Sequence, residues 1–329
     1  MPLTSQFLEL CRKIGCDPLL VQGPGGNASC KSGGILHVKA SGTELACAME
    51  RNIFAAVDIS RAIAEIDGAG DGSCRSAMTD PESPARPSIE TTFHALLPQK
   101  YVFHYHSVAA ICHSISSRGK DLIPRKLNGI GWDAIPYRKP GIALSKAIRS
   151  KILDREVEAL ILENHGIIVA HDSLGRVAEL IDDIERRLHL PRLPLAPPRA
   201  IPPAIDGWIA PAEVSGLAFD SLARRRASAG SYYPDHVVFL GPAVRESTLD
   251  ELASPAADER ARPVALVKDS GFYIRENATA AQQAMLKCLF EVLARVPPEW
   301  KLNPIGGAAE AELLDWDAEK YRQSLAADR

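Results

Sequence analysis

Apolar spacing divides the chain into elements. Leu3, Phe7, Leu10, Cys11 and Ile14 recur at helical intervals, Arg12 and Lys13 fall in the last turn, and Gly15 follows as a stop, which predicts an amphipathic helix. Gly25 to Lys31 and Ile35 to Lys39, joined by Ser32-Gly33-Gly34, predict a hairpin. Gly68 to Pro87 is rich in Gly, Ser, Asp and Pro and almost without periodicity, so it predicts a long mobile surface loop. Glu90 to Leu97 predicts a helix, Tyr101 to His106 a strand and Val108 to Ile115 another helix. Ala134 to Tyr137 and Leu160 to Val169 are strand signals, the second interrupted by Asn164-His165-Gly166, and a helix from Leu174 to Leu190 starts at a Ser173 cap.

The prolines of the segment 191–203 exclude helix interior and central strand, making it the best domain boundary. The expected division is a catalytic domain over 1–190, a Pro-rich linker over 191–209 and an accessory α/β domain over 210–329. In the last region Val237 to Leu240 and Val264 to Val267 predict strands, and Thr279 to Arg295 a helix. Arg224-Arg225-Arg226 falls in a helical stretch and reads as a solvated face rather than a phosphate patch.

Composition narrows the class. The chain has 329 residues, 46% of them apolar, enough for about two domains with sizeable cores. A net charge of −3 gives no electrostatic case for nucleic acid or an anionic membrane as partner. The N-terminal stretch is broken by Glu9, Arg12 and Lys13 before any long apolar run develops, and no later stretch has the apolar length of a membrane span. Seven scattered cysteines without a Cys-x-x-Cys pair argue against a disulfide framework and against a cysteine zinc site. The expectation is a reduced, cytoplasmic, globular protein.

The sharpest chemical signal is His104-Tyr105-His106 at the end of an apolar strand. Residues two apart on a strand share a face, so both imidazoles can reach one ion; the alternative is a pair of half-exposed surface histidines. His165 lies between two apolar runs and is followed by Gly166, which suits either a third ligand or a core histidine bonded to a carbonyl. Glu90 stands at a helix start, where a carboxylate complements the helix dipole, or beside a metal acts as general acid and base. The turns Gly25 to Ser29 and Lys39 to Thr43 offer amides and hydroxyls for a phosphate or carboxylate, and match neither a P-loop nor a dinucleotide fingerprint.

Taken in order, Asn27/Ser29, Lys39 to Thr43, Pro87 to Glu90, His104/His106 and Asn164 to Gly166 resemble the class II aldolase/adducin family over roughly residues 5–190. Ile135-Pro136-Tyr137 and Pro140-Gly141 fit the same pattern. The resemblance implies an α/β fold, a mostly antiparallel central sheet with helices on both faces, followed by a smaller C-terminal α/β domain. It implies His104, His106 and His165 as ligands of Zn2+ or another divalent metal, Glu90 as the catalytic acid/base, and Asn27, Ser29, Ser41, Gly42 and Ser88 as substrate-binding residues. Where fuculose-phosphate aldolases carry a second serine before the glutamate, this chain has Ile89.

The implied function is metal-dependent retro-aldol cleavage of a small ketose or ketose phosphate, in a homotetramer. Epimerases, dehydratases and decarboxylases of the same family are the alternative, and a non-catalytic adducin-like interaction domain ranks below them because all three histidines and Glu90 are present. Pro234 to Pro242 and Trp316 to Arg322 resemble the aldolase portion of bifunctional rhamnulose-phosphate aldolase/dehydrogenases, without a Gly-rich dehydrogenase half. The C-terminal region also reads as a degenerate copy of the catalytic domain: 98–104 aligns with 234–240, and 162–168 with 267–273.

Overall fold

A computed structural model describes residues 3–70, 72–152, 156–194, 201–254 and 262–317, with Lys320 and Gln323. Residues 318, 319, 321 and 322 of the Trp316 to Arg322 stretch and residues 195–200 of the Pro-rich segment therefore lie outside the described residues. The chain divides into two compact units, the first comprising 1–114 and 122–189, the second 115–121 and 190–329.

The first unit is built on a seven-stranded sheet of order β3-β2-β1-β4-β7-β6-β5. Its strands are β1 (Asn27–Ser32), β2 (Ile35–Lys39), β3 (Phe54–Asp58), β4 (Tyr101–Tyr105), β5 (Trp132–Ile135), β6 (Ala159–Leu162) and β7 (Gly166–His171). All neighbours pair antiparallel except β5 with β6. Gly33 and Gly34 both take positive φ, 58° and 81°, and close the expected β1–β2 hairpin.

Helices cover both faces. Phe7, Leu10, Cys11 and Ile14 of helix Ser5–Gly15 and Val177, Leu180, Ile181 and Ile184 of helix Leu174–Leu188 pack with Phe103, Tyr105, Ile167 and Val169 on one side. Phe93 and Leu97, at helix Thr91–Leu96 and its end, pack with Leu144 and Ile148 of helix Ile142–Ile152 against Val102, Leu160 and Ile168 on the other. Thr4 and Ser173 cap their helices with side-chain oxygens.

Several expectations are corrected. The segment 68–87 is not simply a mobile surface loop: Cys74, Ala77 and Met78 are buried in a core with Val57 and Ala95. Glu65 organises it, its buried carboxylate accepting from Gly72 N, Cys74 N and Ser76 Oγ. Strand β3 and helices Ile59–Ala64, Ser117–Lys126 and Ile142–Ile152 were not expected. Ser117–Lys126 carries Pro124 and five charged residues, which mask its period.

The second unit holds a four-stranded sheet, β8-β11-β10-β9, of β8 (Trp208–Ile209), β9 (Arg245–Ser247), β10 (Val264–Val267) and β11 (Gly271–Arg275). Val237 to Leu240, expected as a strand, belongs to helix Pro234–Leu240. Pro234 supplies a fixed φ at the helix start and Gly241, at φ 84°, ends it, so a short fully buried helix carries the same apolar run as a core strand. The alignment of 98–104 with 234–240 therefore fails, because one is strand and the other helix. Nor is Arg226 on a solvated face: it is buried and donates to the carbonyls of Val296, Pro297, Pro298 and Trp300.

Candidate metal and catalytic site

Strand alternation delivers the first two histidines. Phe103 and Tyr105 point into one core and Val102 into the other, so His104 shares the face of Val102, and His106 follows two residues on. His165 comes from the β6–β7 turn, where Asn164 takes φ 55° and the His165 N–H donates to Leu162 O at 3.1 Å. Gly166 allows this turn to close on β4: a Cβ there would stand 2.5 Å from Tyr105 O and 3.2 Å from His106 Cα.

The three imidazoles are buried, with ring centroids 4.8–5.2 Å apart and one nitrogen from each within 4.8 Å of the others. A carbonyl can only accept, so the 3.0 Å contact of His104 Nδ1 with Ile167 O puts the proton on Nδ1 and leaves Nε2 as the lone-pair atom.

Glu90 enters from the start of helix Thr91–Leu96. Its Oε2 is 3.4 Å from His104 Nε2 and its Oε1 3.7 Å from His165 Nε2. Asn27, paired with His104 across β1 and β4, donates from Nδ2 to Glu90 Oε2 at 2.8 Å and to Ser88 Oγ at 3.2 Å. Ser88 Oγ also accepts from Glu90 N. Glu90 is only 5% exposed, and its Oε1 accepts no hydrogen bond among the described residues. A buried carboxylate oxygen lacking a donor costs on the order of 1–3 kcal/mol or more. A divalent cation among the three imidazoles satisfies both the orphan oxygen and the neutral nitrogen donors, so the residues fit a metal.

The chain's profile over residues 5–190 matches the family described as Class II Aldolase and Adducin N-terminal domain. The chain belongs to this family. The class II aldolase domain at the N-terminus of a conserved Thermoplasma acidophilum protein is 26% identical, with a TM-score of 0.50, covering 57% of this chain and 94% of that one. L-fuculose-1-phosphate aldolase from Thermus thermophilus is 17% identical with a TM-score of 0.38, covering 56% and 93% of the two chains. YuxG of Bacillus subtilis (strain 168), described as an uncharacterized oxidoreductase, is 32% identical over 170 residues, 47% of this chain. The match spans only 24% of that protein.

Within this class II aldolase domain the remaining expected residues divide. Ser41 N donates to Arg86 O at 2.8 Å and Ala40 bridges Pro87, which ties the Ser41-Gly42 turn to the segment carrying Ser88. Lys39 Nζ fixes the turn from within, donating to Pro24 O and Thr43 O at 2.8 and 2.6 Å. Ser29, expected to bind substrate, is 0% exposed, and its hydroxyl meets His94 Nδ1 at 2.8 Å.

His94 is the residue that sequence reasoning missed. It lies four residues after Glu90, and that spacing on one helix face was the available signal. Its Nε2–H donates to Asn27 Oδ1 while Nδ1 accepts from Ser29. Burial pushes the His94 pKa well below the ordinary histidine value, so the ring stays neutral. A chain of hydrogen bonds thus runs from Ser29 through His94 and Asn27 to Glu90.

Proposed function

We propose that this chain is a metal-dependent lyase that cleaves a small ketose or ketose phosphate by retro-aldol chemistry. The observation that carries the reading is the Glu90 carboxylate, buried within 3.4 and 3.7 Å of two of three clustered histidines. His104, His106 and His165 would hold zinc or another divalent ion. When bound, the ion supplies Lewis-acid charge against the negative charge that develops on substrate oxygens as the C–C bond breaks.

The chain's own residues do the rest. Cleavage removes the hydroxyl proton of the fragment that leaves as an aldehyde and requires a proton on the carbon that keeps the bonding electrons. Glu90 is the acid and base placed to take up the first of these protons and deliver one as the second, so that the step is proton-neutral overall. Asn27 sets the direction of its carboxylate. Ser88 and the backbone of the Ser41-Gly42 turn form the polar side of the site, suited to a phosphate or hydroxyl end.

The family membership together with the 0.50 TM-score likeness to a class II aldolase domain supports the reading. The test is product analysis of zinc-loaded protein incubated with ketoses, ketose phosphates and sugar acids. Separate aldehyde and ketone fragments are the expected outcome. Epimerised, dehydrated or decarboxylated products without aldol cleavage would assign the same cluster to another reaction.

A further inference from the structure

The three histidines meet only if two separate stretches of chain are held in fixed relation. His104 and His106 stand on and just after β4, and His165 stands in the β6–β7 turn. One short helix, Val108–Ser114, joins the two stretches, and all seven of its residues are buried.

The helix begins two residues after His106. Ser107 starts it, accepting from Ala110 N on Oγ at 3.0 Å and from Ile111 N on its carbonyl at 2.9 Å. Val108 N donates to Leu19 O at 2.8 Å, which ties this end to the segment before β1. Ala109 and Ala110 pack in one core with Ile161 and Ile167, a pair on the facing strands β6 and β7. The helix therefore lies against the hairpin whose turn carries His165.

Its last residue reaches that turn. Ser114 Oγ accepts from Asn164 N at 3.2 Å and donates to Ile111 O at 3.2 Å, so one buried hydroxyl serves as acceptor and donor at once. Asn164 is the left-handed residue of the turn, at φ 55°, directly before His165. A non-glycine residue in that region is held there by its surroundings rather than by its own preference.

The second unit contains the same turn without the histidine. Leu162 pairs with Gly166 as Val267 pairs with Gly271, and Asp269, at φ 54°, stands where Asn164 does, with Ser270 in the place of His165. There too the N–H of the left-handed residue finds an acceptor outside the turn, but it is a main-chain carbonyl, Ala218 O at 3.2 Å. In the first unit the acceptor is a side chain, and it stands at the far end of the helix that follows His106.

We infer that Ser114 is a positioning residue of the metal site, its hydroxyl fixing the turn that carries His165 relative to the strand end that carries His106. On the reading of the cluster as a metal site, Ser114 acts through Asn164 and His165 and is not itself a ligand. Metal–nitrogen distances tolerate only about 0.2 Å, so a turn that drifts from the helix loses affinity before it loses its fold.

Metal affinity, rather than turnover, is the test. The full chain is stripped with chelator and titrated with Co2+, whose visible absorption reports ligand geometry, and the Co2+ is then displaced with Zn2+. The parent should bind about one ion per chain. Ser114→Ala should weaken Zn2+ binding about 10–100-fold, the usual loss with an outer-shell partner, and shift the Co2+ absorption. Ser114→Thr, which keeps the hydroxyl, should restore most of the affinity. Ile111→Val opens a small cavity in the same helix and leaves the Ser114 hydroxyl in place, so it should lower the melting temperature of stripped protein while affinity and absorption stay at parent values. If Ser114→Ala does not fold, Ser114→Cys, similar in size and a weaker acceptor, takes its place with a smaller expected loss. Parent-like affinity and absorption in these variants overturns the inference and leaves the metal site standing. So does an equal loss in Ile111→Val, which would make the contact one of stability alone. A parent protein that takes up neither ion removes the metal site itself, and the role of Ser114 with it.

Discussion

Asn27 donates to the same Glu90 oxygen that lies 3.4 Å from His104 Nε2, so one amide fixes the carboxylate that faces the histidine cluster. The amide is itself oriented, because His94 Nε2–H takes its Oδ1 and leaves Nδ2 as the only end that can reach Glu90. A neutral histidine buried beneath the site thereby sets the position of the proposed acid and base.

His94 is accordingly a positioning residue. Replacing it with alanine should lower kcat about 10–100-fold, the usual effect of losing an outer-shell partner, with KM and zinc stoichiometry near the parent values. His94→Gln, which retains an amide donor, should recover part of the loss. Steady-state kinetics on metal-loaded protein checks this, and an unaltered kcat in His94→Ala would separate the relay from catalysis.

Glu90→Gln keeps the size and the Asn27 contact but cannot carry a proton. Turnover should fall about 10²–10⁴-fold while bound zinc stays close to the parent amount. Near-normal turnover would return Glu90 to a helix-start role.

The close approach of β7 to β4 makes Gly166 intolerant of a side chain. Gly166→Ala drives a methyl to 2.5 Å from Tyr105 O and should cost about 1–3 kcal/mol, with weakened zinc affinity because His165 moves with the strand. Gly175→Ala, where the nearest atom is 3.8 Å away, is the matched control and should leave the melting temperature unchanged or raised. Thermal denaturation of both variants distinguishes a local clash from a general effect of alanine.

Burial lowers the pKa of His113 to about 4 and that of His236 to about 3. Both are lowered in the folded state, so the stability they contribute is present above the ordinary value of about 6.5 and is lost as pH falls toward 4 and 3. Each histidine adds about 1.4 kcal/mol per pH unit of acid-side slope in that window. Denaturant melts between pH 6.5 and 4.5 should show the slope, and His236→Gln should reduce it by one histidine's share. An unchanged slope in that variant contradicts a buried neutral His236.

The sequence was most legible where one side-chain period met one face. Tyr101 to His106 alternates cleanly, so the shared side of His104 and His106 could be read from spacing alone. Glu90 at a helix start and the interruption at Asn164-His165-Gly166 were equally visible, since capping and left-handed turns leave local signatures. What stayed hidden depends on contacts distant in sequence. The burial of Cys74 and Met78 rests on the Glu65 carboxylate, and the role of Ser29 depends on a histidine 65 residues away. Pro234 to Leu240 failed for a different reason, because seven buried residues carry no period that tells helix from strand.

In the proposed function the buried histidine cluster and Glu90 form a metal-dependent C–C lyase. The most direct measurement is aldehyde release from a panel of ketoses and ketose phosphates by protein stripped with chelator and then titrated with zinc. The expected result is no cleavage by stripped protein, recovery that saturates near one zinc per chain, and no recovery in His165→Ala. Cleavage that persists undiminished without metal, or one tightly bound zinc per chain with no cleavage of any substrate in the panel, would contradict it.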